Sequence, residues 1–97
     1  MNWKSRENTA LIQAFLALQN ADEAQRFLRD LLTEGEIEEF GKRLKTARML
    51  EDKVPYSKIG EETGLSSTTI ARVARWLRRG GGGYRLILKR LKTGHIV

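Results

Sequence analysis

Cysteine is missing from this 97-residue chain, which excludes a disulfide framework, a thiol nucleophile and any cysteine-ligated metal site, and suits a reducing cytoplasm. No apolar run approaches the roughly 18 residues of a membrane span, and the opening MNWKSRENTA passes directly into charged sequence instead of a secretion leader. The expectation is therefore a soluble cytoplasmic protein with no membrane partner. The one histidine, His95, lies near the chain end with no acid or nucleophile at motif spacing. The acidic pairs Glu38/Glu39 and Glu61/Glu62 have the spacing of solvated helix faces. No catalysis, metal or cofactor is expected. Aromatic residues are few, which disfavours the stacking platforms of sequence-specific RNA modules.

What is present is positive charge, unevenly placed. Residues 1–38 hold four basic and seven acidic side chains, whereas residues 39–97 hold fourteen basic and five acidic ones. A surplus confined to one half is the electrostatic footprint of a phosphate-backbone binder, with the acid-poor stretches 41–48 and 75–90 as contacts. Charge alone equally describes a solvated surface.

Residues 56–77, YSKIGEETGLSSTTIARVARWL, give the charge a context. Ile59, Leu65, Ile70 and Val73 place apolar groups where two steeply crossing helices share a small core, and Gly60 is expected to let their backbones approach. Gly64 falls where the first helix must end in a left-handed residue. Ser66 then caps the second helix. Pro55 stands at the start of the first, where its missing N–H costs nothing. This is a helix-turn-helix. Its outer face offers Ser66, Ser67 and Thr68 to phosphates or base edges and continues through Ala71, Arg72 and Arg75, with Ala71 a candidate for a thymine methyl and Arg75 for guanine O6 and N7. Tyr56, Ser57 and Lys58 are candidate backbone contacts from the preceding helix.

The remaining chain reads as all-α, about six short helices in one domain. Residues 6–20 carry Leu11, Ile12, Phe15, Leu16 and Leu18 at helical spacing, and residues 21–32 carry Ala24, Phe27, Leu28, Leu31 and Leu32. Together, residues 1–32 hold more apolar surface than a small domain needs, so they are expected to clasp a second copy as dimerisation helices. Thr33 and Glu36 suit a capping box for a third, basic helix over 33–53, with a stripe of Ile37, Phe40, Leu44, Ala47 and Leu50. The helix-turn-helix follows over 55–79. Residues 80–83 are four glycines, which read either as a flexible linker or as a loop offering free N–H groups to phosphate. The segment 84–97 reads as a last helix over 84–91 and a frayed tail over 92–97.

The order of residues 31–33 (LLT), an acidic helix start, residues 41–44 (GKRL) and the helix-turn-helix resembles the Trp repressor family, and more closely its small Trp-repressor-like members of the YerC/YecD type. That resemblance implies an intertwined homodimer that presents two reading heads to a two-fold symmetric site on double-stranded DNA, half-sites about one turn (~34 Å) apart. It implies a ligand pocket as well. Arg43 and Arg72 stand where the family's two arginines sandwich a tryptophan corepressor, with Leu32, Thr33 and Thr69 at lining positions. Three positions depart from the family. A glycine below the indole is Val73, a serine near the ligand's amino group is Trp76, and a pocket leucine is Asp30. Trp76 is expected to fill the pocket, giving a DNA-binding repressor that works without tryptophan; rotation of Trp76 away would leave a cleft suited to a different small effector. A helical adaptor dimer serving an acidic protein partner is the alternative function.

Overall fold

The computed structural model describes residues 1–93. His95 and the tail beyond Thr93 lie outside the described residues. Among these residues there are six α-helices and no strand: α1 Arg6–Ala17, α2 Ala21–Leu31, α3 Glu34–Glu51, α4 Tyr56–Thr63, α5 Ser67–Arg79 and α6 Gly83–Lys92. None is long and apolar enough to cross a membrane. The chain divides into a unit of residues 1–34 and a unit that begins at Gly35.

In the N-terminal unit, local polar chemistry defines both helix starts. The Ser5 hydroxyl accepts the Asn8 N–H at 3.1 Å to open α1. The Asn20 carboxamide accepts the Glu23 N–H at 3.0 Å, while Glu23 accepts from the Gln19 N–H at 3.0 Å, a reciprocal cap that opens α2. Asn20 is accordingly extended at φ −158°, and Leu18 has already left the helix at ψ 133°, so α1 stops at Ala17 and not at Asn20 as the periodicity suggested. Phe15 and Phe27 meet edge to face with centroids 5.7 Å apart. Despite this contact, neither helix contains a buried residue. Leu16 is 79% exposed, and Leu11, Ile12, Phe15 and Leu31 are exposed too.

The second unit has the core. Ala47 and Leu50 of α3, Ile59 of α4, Ile70, Val73, Ala74 and Leu77 of α5, and Leu88 of α6 are buried together, with Leu44, Met49, Val54, Leu65, Tyr84 and Leu91 around them. Only the C-terminal half of the α3 stripe takes part: Ile37 is half-buried and Phe40 is 46% exposed, contrary to the single buried stripe expected. The core elements within this unit reach the second half of α3 and leave the first half uncovered.

The helix α3 ends in a Schellman motif. Lys53 adopts φ 61°, the Val54 N–H reaches back to the Met49 carbonyl at 3.0 Å and the Lys53 N–H to Leu50 at 3.0 Å. Pro55 then serves as the N-cap of α4 with ψ 148°, one position before the first helical residue. Gly64 ends α4 in the left-handed region at φ 73°, with its N–H on the Gly60 carbonyl at 2.8 Å. The buried Thr63 hydroxyl donates to the Ile59 carbonyl at 2.8 Å and accepts the Leu65 N–H at 3.2 Å, which ties the turn to the helix before it. Gly60 does not mark a close approach. A Cβ there would meet its nearest neighbours, Leu65 O and Ile70 Cδ1, at ordinary distances of 3.7 and 3.8 Å.

Candidate nucleic-acid interface

The reading helix α5 is oriented by its own amphipathic pattern. Ile70, Val73, Ala74 and Leu77 face the core, and the 3.6-residue period therefore turns Ser67, Thr68, Ala71, Arg72, Arg75, Arg78 and Arg79 to solvent. All nine candidate DNA-contact residues, Tyr56, Ser57, Lys58, Ser66, Ser67, Thr68, Ala71, Arg72 and Arg75, are exposed. None of the four α5 arginines belongs to an ion pair among the described residues. Their guanidinium forks are free for an external anion or a guanine edge.

Ser66 has a structural duty first. Its oxygen accepts the Thr69 N–H at 3.2 Å and its hydroxyl donates to Thr69 Oγ1 at 3.1 Å, so the half-buried Thr69 is spent on the cap. The hydroxyls of Ser67 and Thr68, and the uncapped N–H groups of the first turn, are what remains for a phosphate. At the start of α4, Pro55 supplies no side-chain cap, and Tyr56, Ser57 and Lys58 keep exposed first-turn positions beside it.

The glycine tract is a short connection between α5 and α6, with Gly80 as the C-cap of the first and Gly82 as the N-cap of the second. Gly80 follows α5 directly with its N–H on the Trp76 carbonyl at 2.9 Å. A Cβ at Gly80 would fall on that carbonyl oxygen and lie 2.8 Å from Trp76 Cε3. Gly82 takes φ 84° as the N-cap of α6. Two of the four glycines are thus demanded by geometry, one by close approach and one by handedness.

The residues of the expected ligand pocket are divided between the units. Asp30, Leu32 and Thr33 belong to the N-terminal unit; Arg43, Thr69, Arg72, Val73 and Trp76 belong to the second. Within the second unit Trp76 stands at the surface. The ring lies back against Gly80 and is 58% exposed, lining a cleft of about 610 Å³ with Leu44, Gly81, Tyr84 and Ile87. Val73 is consumed by the core. Arg43 is engaged by its own helix: its guanidinium pairs with Glu39 at 2.6 Å and sits 5.7 Å from the centre of the Phe40 ring. Sequence reading missed the Glu39 partner, although the Glu-to-Arg spacing of four residues was available to signal it. No group of acidic, histidine or cysteine side chains able to hold a metal occurs among the described residues.

Comparison with known proteins agrees with this architecture. The family model described as Trp repressor protein matches residues 6–92. The chain is 40% identical over 89 residues to the uncharacterized protein YerC of Bacillus subtilis (strain 168), covering 92% of this chain and 86% of that one. The crystal structure of a TrpR-like protein from Eubacterium eligens superposes with a TM-score of 0.88 at 38% identity, covering 98% of this chain and 96% of that one. A candidate Trp repressor from Staphylococcus aureus superposes at 0.87 and 35% identity, with 95% of each chain covered. The chain belongs to the Trp repressor family.

Proposed function

We propose that this chain is a sequence-specific transcriptional repressor of the bacterial cytoplasm, which binds a two-fold symmetric operator in double-stranded DNA as a homodimer and needs no tryptophan. Family membership supports the coarse reading of a DNA-binding regulator. The observation that carries the finer one is the outer face of α5, where Ser67, Thr68, Ala71, Arg72 and Arg75 stand exposed on a rigidly capped helix with no carboxylate paired to either arginine. Such a face matches the donors and charge that base edges and phosphates require.

Dimerisation is supported by α1 and α2. Two helices without a single buried residue, bearing Leu11, Ile12, Phe15, Leu16 and Leu31 at the surface, cannot gain their stability from their own unit. A second copy that covers them would also supply the second reading head. Independence from tryptophan is supported by Val73 and by Glu39. The first is a core residue where the family leaves room for an indole, and the second pairs with one nitrogen of the Arg43 guanidinium.

Selection of duplexes from a random pool by the purified protein, at near-physiological salt and without added ligand, tests the reading. The expected result is a two-fold symmetric motif. Absence of enrichment, both alone and with tryptophan or a panel of metabolites, would overturn it and leave the protein-adaptor function. The open cleft beside Trp76 supports a second reading, control by a different small ligand; enrichment that appears only with a metabolite from the panel would establish that one.

A further inference from the structure

A second concentration of charge lies away from the helix-turn-helix face. The last turn of α3 and one side of α6 border an open cleft of about 510 Å³ lined by Arg48, Arg85, Lys89 and Lys92. Its apolar wall is Leu88 and Leu91, and Glu51 is the one acidic residue lining it. Compensation is slight. Lys92 has a loose contact with Asp52 at 3.8 Å, with both side chains more than half exposed, while Arg48, Arg85 and Lys89 belong to no ion pair among the described residues.

Helix dipoles account for part of this arrangement. Arg48 is in the last turn of α3, and Lys89 and Lys92 are in the last turn of α6, where cations are favoured. Arg85 is not explained in this way. It sits in the first turn of α6, a turn with no acidic residue, so the helix dipole opposes its charge. A cation placed against a dipole, lining a concavity of small-ligand size together with Lys89 and Lys92 of its own helix and Arg48 of α3, is suited to an external anion with more than one negative charge.

We propose that the α3–α6 cleft binds a phosphate-bearing ligand of at least two negative charges, with Arg48 and Arg85 gripping the oxygens and the partly buried Leu91 receiving the ligand's apolar part. The phosphate comes either from a small soluble molecule or from a duplex backbone. The proposal does not depend on operator recognition, because inorganic pyrophosphate serves as the probe.

Pyrophosphate binding to the full chain is measured by calorimetry at near-physiological salt. The expected result is saturable binding that weakens about tenfold or more in Arg85→Gln/Lys89→Gln, the loss of roughly one charge-assisted contact or more. Both positions are exposed, so the ligand-free melting temperature should stay near that of the parent. The variant Lys4→Gln/Arg6→Gln removes the same charge from the N-terminal unit and should bind as the parent does. Failure of the parent to bind, or equal weakening by both double variants, overturns the proposal. The source is read from random-duplex affinity against salt: a log–log slope reduced by about two in Arg85→Gln/Lys89→Gln identifies the DNA backbone, and an unchanged slope with lost pyrophosphate binding identifies a soluble ligand.

Discussion

Alanine placed at each of Gly80, Gly81 and Gly82 in turn should have three different consequences, because the tract is a turn whose members do different work. At Gly80 the new methyl would fall on the Trp76 carbonyl oxygen, 3.2 Å from the carbonyl carbon and 2.8 Å from the ring atom Cε3. That carbonyl is fixed by the Gly80 N–H, which it accepts at 2.9 Å. Relief requires loss of this hydrogen bond, about 0.5–1.5 kcal/mol, and rotation of a hinge that carries α6 and its buried Leu88 away from the core. Full exposure of a leucine costs about 1.5–3 kcal/mol. The expected destabilisation for Gly80→Ala is therefore about 2–4.5 kcal/mol. Gly82→Ala forces a Cβ into φ 84°, a penalty of about 1–2 kcal/mol. A methyl at Gly81 meets nothing within 4 Å, and its φ is not positive. There the reduced freedom of the unfolded chain should leave stability unchanged or raise it by up to about 1 kcal/mol. Urea unfolding at one fixed protein concentration reads all three, the concentration being held because self-association shifts the midpoint. Near-zero effects at every position would refute the turn and restore the flexible linker.

Three other outcomes are expected. Gly60→Ala should stabilise by about 0.4–1 kcal/mol in the same assay, since the site is helical and a Cβ fits at 3.7 Å; destabilisation would show that α4 and α5 approach more closely than described. Arg75→Ala should cost about 1–3 kcal/mol at the preferred duplex and less on random sequence, while Arg90→Ala should weaken all duplexes alike in a competition gel shift; equal behaviour of the two would remove Arg75 from base readout. Leu16→Glu, at a position 79% exposed, should change stability by less than about 0.5 kcal/mol if the chain is monomeric, but should move the sedimentation profile from dimer to monomer if α1 clasps a second copy. An unaffected dimer would exclude this face from the interface.

The sequence by itself determined those features that arise from neighbours along the chain. Gly64 in a left-handed turn, Ser66 as a cap and the alternation of Ile70, Val73, Ala74 and Leu77 with Thr68, Ala71, Arg72 and Arg75 are all set within one or two helical turns, where spacing is geometry. The candidate DNA face was legible for that reason. Contacts between distant segments were not. Phe40 and Leu50 are equally apolar and share the periodicity of α3, yet Leu50 is buried and Phe40 is exposed, because the core within that unit extends only to the second half of α3. Gly60 and Gly80 are the same residue type, and only the placement of the Trp76 carbonyl and ring makes the second one obligatory. Arg48 and Arg85 stand 37 positions apart in the chain and become neighbours only when α6 folds back beside α3. Periodicity states which face of a helix is apolar; the tertiary structure decides how far along that face another element reaches, and which charges meet across the gap.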